Sequence, residues 1–196
     1  MSAARKITEK DILPLPEYVK QRAERRRSIS ALKRNRRVEL GPVVTFYFEC
    51  YETMLHQVQE MLYIEKGGAE QVPDELAAYN PLVPNGSELT ATVMIEIDDE
   101  LRRRRVLAEL GGIEENFWLR VAGETVKGAP EQDQERTNEQ GKTSSVHFLH
   151  FPFTPAQIEA FRQPEAEIVI GCAHAQYRHM AIMPQNVRQA LSADFA

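Results

Sequence analysis

"VVTFYFECYETMLHQVQEMLYIEK", residues 43–66, changes its repeat in the middle. Val44, Phe46 and Phe48 alternate with Thr45, Tyr47 and Glu49, the two-residue period of a strand with one apolar face. From Tyr51 the apolar residues recur at helical spacing, so the strand feeds a helix running to about Lys66, and Gly67-Gly68 ends it where a left-handed cap belongs. On that helix Leu55, Val58, Met61 and Leu62 form the stripe expected to pack on a sheet, with Glu65 inside it. Thr53, Gln57, Glu60 and Ile64 form a neighbouring face, and Glu52, His56 and Tyr63 turn to water.

The same reading extends in both directions. Upstream, Pro16 suits a first helical turn, and a long basic helix runs to about Arg34 before Gly41-Pro42 breaks the chain. Downstream, a helix is expected over Pro73 to Tyr79, and "ELTATVMIEI", residues 88–97, alternates as the clearest strand. "DELRRRRVLAEL" reads as a helix capped by Asp98 or Asp99 and ended by Gly111-Gly112. "NFWLRVAGETVKG" reads as a hairpin, and residues 129–144 as a polar loop. A strand "SVHFLHFPF", a helix from Thr154 or Pro155 to Phe161, strands "AEIVIG" and "YRHMAIM", and a closing helix from Pro184 complete the chain. Hairpins mixed with isolated helices predict an α+β fold, a largely antiparallel sheet packed by several helices. The chain is expected to be a single domain over residues 1–196, with residues 1–40 a basic helical arm packed on it or projecting from it.

Composition bounds the function. The 42% hydrophobic and 27% charged fractions are those of an ordinary globular chain, with no apolar run of the ~20 residues a membrane span needs and no secretion signal. No membrane association and a cytoplasmic location are expected. Cys50 and Cys172 stand apart and read as semi-buried thiols. Charge is polarised: Lys20 to Arg37 holds nine basic residues against Glu24, so a chain of net charge −5 carries −13 outside that +8 segment. Arg22, Arg36 and Arg37 are the candidate anion- or partner-binding cations. No aromatic follows Tyr18 in this segment, which makes nucleic acid an unlikely partner.

The polar faces supply the candidate chemistry. If the two alternating strands are neighbours, Tyr47 and Glu49 lie near Thr90, Thr92 and Glu96, and together with the helix face they outline a polar cleft of Glu49, Thr53, Gln57, Glu60, Glu88, Thr92 and Glu96. Carboxylates gathered on a covered face repel unless one is protonated or a cation intervenes, so a divalent metal held by Glu49, Glu60 and Glu96 is a candidate cofactor. A solvated sheet face is the plainer reading of the same alternation. His147 and His150 point to opposite faces of their strand and cannot chelate one ion together; His174 and His179 flank Tyr177 and Arg178, a candidate proton donor and anion clamp. No hydrolase, phosphate-loop, dinucleotide or zinc-protease motif occurs.

"RRVELGP" (36–42), "FECYETMLHQVQEMLYIE" (48–65), "YNPLVP" (79–84), "ELTATVMIE" (88–96) and "SVHFLHFPF" (145–153) resemble, in order and over nearly the whole chain, the bacterial family called domain of unknown function 3501. The blocks centre on Phe48-Glu49, Gln57 to Met61 and Glu88 to Thr92; His56 and Cys50 fall outside the family pattern. The resemblance implies genes that sit beside a rubrerythrin-like protein and an iron–sulfur protein of heterodisulfide-reductase type. Two functions follow as expectations: an accessory protein binding such a redox partner, favoured because the metal ligand set is incomplete by spacing, and a metal-dependent enzyme or metal-binding protein using the Glu-rich cleft. A nucleic-acid role for the arginine-rich helix ranks third, and a homo-oligomer is compatible with either.

Overall fold

The computed structural model describes residues 6–131 and 141–195. Most of the stretch read as a polar loop lies outside the described residues, and its first two, Ala129–Pro130, form strand β6.

The alternating segments become β2 (Val44–Phe48) and β3 (Glu88–Ile95), paired antiparallel with Tyr47 opposite Thr92 and Phe46 opposite Val93. β7 (Val146–Pro152) pairs with the other side of β3, placing Phe148 opposite Thr92. Within the basic arm, β1 (Arg37–Leu40) adds to the free edge of β2 across a turn at Gly41, giving the order β1-β2-β3-β7-β6. Gly41 has a φ of 65°, and a Cβ there would stand 2.7 Å from the His179 ring, so both backbone and space demand glycine.

A second antiparallel sheet, order β5-β4-β8-β9, contains β4 (Phe117–Val121), β5 (Glu124–Lys127), β8 (Ile168–His174) and β9 (Tyr177–Ile182). The β4–β5 turn has positive φ at both Ala122 and Gly123, 50° and 83°, as a type I′ hairpin requires. The α+β expectation holds, and the strands divide between two sheets whose facing apolar sides make the main core: Phe46, Phe48, Val93, Leu149 and Phe151 meet Phe117, Leu119, Val126, Ile168 and Ile170. Tyr177 fastens the sheets, its hydroxyl donating to Leu40 O at 2.6 Å and accepting from the Val43 and Val44 amides at 3.2 Å. It is buried and structural, not a proton donor at an open site.

Helices α1 (Leu15–Arg34), α2 (Tyr51–Glu65) and α3 (Val72–Tyr79) cover the opposite face of the first sheet, while α4 (Glu100–Glu109), α5 (Pro155–Arg162) and α6 (Gln185–Leu191) add Leu107, Phe161, Val187 and Leu191 to the main core. A smaller cluster of Ile7, Met54, Val58, Leu62, Leu82 and Val83 sits under α2. α2 is rotated from the expected stripe: Thr53, Met54, Val58, Gln59 and Leu62 are buried, whereas Glu65 is exposed and accepts from Gln71 at 2.7 Å. α2 has the sheet beneath it, α1 on one flank and α3 on the other, so its buried arc is wider than a one-sided stripe. Gln59 is tolerated inside because it closes both bonds on the backbone of Leu13, accepting from its N–H at 2.8 Å and donating to its carbonyl at 3.2 Å. Among the described residues no helix is long and apolar enough to cross a membrane.

Candidate functional site

Register decides what α2 covers. The apolar face of β2 and β3 is taken by the second sheet, so α2 and α3 lie over the face bearing Tyr47, Thr92, Met94 and Phe148. The strand end carrying Glu49 is thereby enclosed, and the residue is only 3% exposed. A cavity of roughly 240 Å3 opens beside it, with apolar walls from Met54, Leu82, Met94, Val146 and Phe148. Its polar lining is Lys33, Tyr47, Glu49, Gln57, Tyr79 and Thr92.

Within this cavity Glu49 Oε1 accepts from Thr92 Oγ1 at 2.7 Å, while the equally buried Oε2 has no hydrogen-bond partner. Tyr47 donates to Glu96 Oε1 at 3.0 Å; burial first, and then this carboxylate, push its phenol above the usual value. Gln57 reaches Tyr79 only at 3.5 Å, a contact loose enough to exchange for a ligand. Arg36 positions the Glu49 backbone: it is buried, donates from Nε to Phe48 O at 2.9 Å and from Nη2 to Glu49 O at 2.8 Å, and is ion-paired with Asp194. Burial weighs against its charge, but Asp194 and other negative groups around it outweigh that and raise its pKa.

Of the expected cleft residues, the fold brings Glu49, Gln57 and Thr92 into one cavity and attaches Glu96 through Tyr47. The others lie elsewhere. Thr53 caps α2, its hydroxyl accepting from Cys50 N at 2.9 Å. Glu88 bonds His150 at 3.1 Å, and that imidazole also meets Glu131 at 2.7 Å. Glu60 is gripped by Arg22, Nε to Oε1 and Nη2 to Oε2 both at 2.8 Å, and takes the Tyr18 hydroxyl at 2.5 Å. Glu49, Glu60 and Glu96 therefore have three separate sets of partners, and among the described residues no three His, Cys, Asp or Glu side chains form a group that could hold a metal ion. Of the expected anion-binding cations, Arg36 faces inward, Arg22 is spent on Glu60, and Arg37 is exposed beside Glu39 at 2.8 Å.

Sequence reasoning did not place Lys33 or Tyr79 at the cavity. Lys33 falls near the end of a basic run, with nothing local to distinguish it from its neighbours. The walls were partly readable, since Met94 and Phe148 alternate with core residues on their strands. His147 is fully buried among the sheets, with Nε2 2.9 Å from Ser144 O, and lies on the opposite face from His150, as the strand period requires. Cys50 and Cys172 are buried and free, and burial pushes both thiols up to about 11.

Comparison with known proteins agrees with the blocks found in the sequence. A crystal structure of a novel protein of unknown function from Burkholderia pseudomallei K96243, at 1.90 Å resolution, is 37% identical, covers 97% of this chain and all of its own, and superposes with a TM-score of 0.90. No curated protein matches the sequence. The model of the family described as protein of unknown function DUF3501 matches residues 6–195, and the chain belongs to that family.

Proposed function

We propose that the protein binds a small organic molecule in the Glu49 cavity, with Glu49 Oε2 accepting a hydrogen bond from a ligand N–H and the Met54, Met94 and Phe148 walls holding an apolar body. The supporting observation is the unpartnered buried oxygen. Leaving a buried acceptor unsatisfied costs about 1 to 3 kcal/mol, more when it is charged, and a ligand donor removes that cost. Apolar walls with a few convergent polar groups are the usual make-up of a small-molecule site. The test uses benzamidine, an aromatic ring bearing N–H donors, with benzoate as the isosteric control. Benzamidine should raise the melting temperature saturably while benzoate does not, and Glu49→Gln should abolish the effect. Equal stabilisation of wild type and Glu49→Gln, or none of wild type, refutes the assignment.

A second reading is an accessory role in a bacterial redox or peroxide-defence system, docking an iron–sulfur or rubrerythrin-like partner. The outward basic side chains Lys20, Arg27 and Arg34 of α1 favour it, because they are exposed and suit an acidic surface. Association with either purified partner should weaken steeply with salt and with charge reversal at Lys20 and Arg27. Salt-independent association, or none, removes this reading.

A further inference from the structure

The Glu49 cavity does not end at its polar rim. Lys33, Tyr47 and Gln57 also line a larger groove of roughly 650 Å3 between α1, α2 and the start of the first sheet, so the two spaces share a wall. Arg26, Lys33, Arg34 and Arg37 all border this groove, with Ile29 and Ile64 as its apolar patches. Glu60 is the acidic residue in its lining, and both of its oxygens are already taken by Arg22. Among the described residues Arg26, Lys33 and Arg34 have no ion-pair partner, while Arg37 meets Glu39 on the outer surface.

Cations crowded without counter-charges repel one another, a cost that an ordinary solvated helix face avoids by interleaving acids. This concentration stands on a chain whose overall charge is −5. His56, in the same lining, has its pKa lowered chiefly by burial, while Glu60 pulls it up and Lys33, Arg26 and Arg22 push it down. The groove therefore presents fixed positive charge beside a cavity that holds an unpartnered acceptor.

We propose that this groove seats the phosphate of a phosphorylated small molecule, whose N–H-bearing ring enters the Glu49 cavity. A phosphate ester carries close to two charges and three acceptor oxygens, which suits several converging cations, and Arg presents a fork that binds it at two points. A single carboxylate would leave most of these cations unanswered. The groove adjoins the Glu49 cavity through Lys33, Tyr47 and Gln57, and it lacks a series of stacking aromatics, so a small phosphate ester fits better than a nucleic-acid strand. The ring half of the assignment rests on the Glu49 reading; the phosphate half does not.

The experiment is an NMR-monitored titration with inorganic pyrophosphate at low salt on wild type, Glu49→Gln and the double variant Lys33→Gln/Arg34→Gln, with the thermal melt of each confirming folding. Pyrophosphate should bind wild type and Glu49→Gln alike, shifting amides near the end of α1 and around Tyr47, and the double variant should bind at least about tenfold more weakly. Absence of saturable binding to wild type, or equal binding by the double variant, overturns the proposal. So does a single-stranded oligonucleotide that displaces pyrophosphate and binds with strength growing with its length, which would make the groove a nucleic-acid track. Pyrophosphate binding with failure of benzamidine would retain the phosphate seat and remove the ring site; the reverse would retain only the ring site.

Discussion

Replacing Glu60 by Gln isolates the contact that holds α1 on α2. Arg22 clamps both oxygens of Glu60, and the guanidinium lies 4.3 Å from the centre of the Tyr63 ring. Tyr18, fully buried, donates to the same carboxylate. The Arg22 bonds, with help from Tyr18 and against the effect of burial, take the Glu60 carboxyl from 4.5 down to about 2. At about 1.4 kcal/mol per pKa unit this bounds the stabilisation at about 3.5 kcal/mol. Water reaches Arg22 and screens the pair, so about 1 to 2 kcal/mol is expected. A depressed folded pKa stabilises the protein fully above the unfolded value and loses that contribution as pH falls through the folded value. Glu60→Gln should thus unfold at lower urea concentration than wild type at pH 7, and the gap should narrow from about pH 4.5 toward pH 2. A variant as stable as wild type at neutral pH, or a deficit unchanged between pH 7 and pH 3, would refute the reasoning.

Arg36→Met should cost about 3 to 5 kcal/mol in urea unfolding, because it removes the buried guanidinium paired with Asp194 and releases the carbonyls of Phe48 and Glu49; a loss below about 1 kcal/mol would show that the buried pair is dispensable. His150 should titrate above 6.5 by NMR, because its bond to Glu88, and secondarily that to Glu131, outweighs burial. Its contribution to stability is full below 6.5 and disappears as pH rises through the folded pKa, and Glu88→Gln should lower the midpoint; an unchanged midpoint in that variant would separate the two residues.

Local periodicity made most elements readable. The alternation in β2 and β3, the proline near the start of α1 and the glycines after α2 and α4 are one-dimensional signals, because strand faces and helix ends depend on neighbours in the chain. β1 was not legible: four residues beginning with an arginine lack an apolar run, and they become a strand because β2 offers a free edge. The rotation of α2 was hidden for a related reason. A wheel ranks residues by hydrophobicity, whereas Gln59 is tolerated inside by hydrogen bonds to the Leu13 backbone that only the fold brings within reach, and Thr53 by a local bond to Cys50 that the wheel does not register.

The candidate site divides along the same line. Sequence by itself determined the strand-to-helix unit, the position of Glu49 on the polar side of β2, the basic character of α1 and the family blocks. Tertiary structure decided whether that polar side met water or protein: with the second sheet covering the apolar face, α2 and α3 close over the other and bury Glu49. It also sent Glu60 to Arg22 and Glu88 to His150. The physical reason is that alternation assigns a side chain to a face, while burial, pairing and cavity shape depend on which distant elements compete to cover that face.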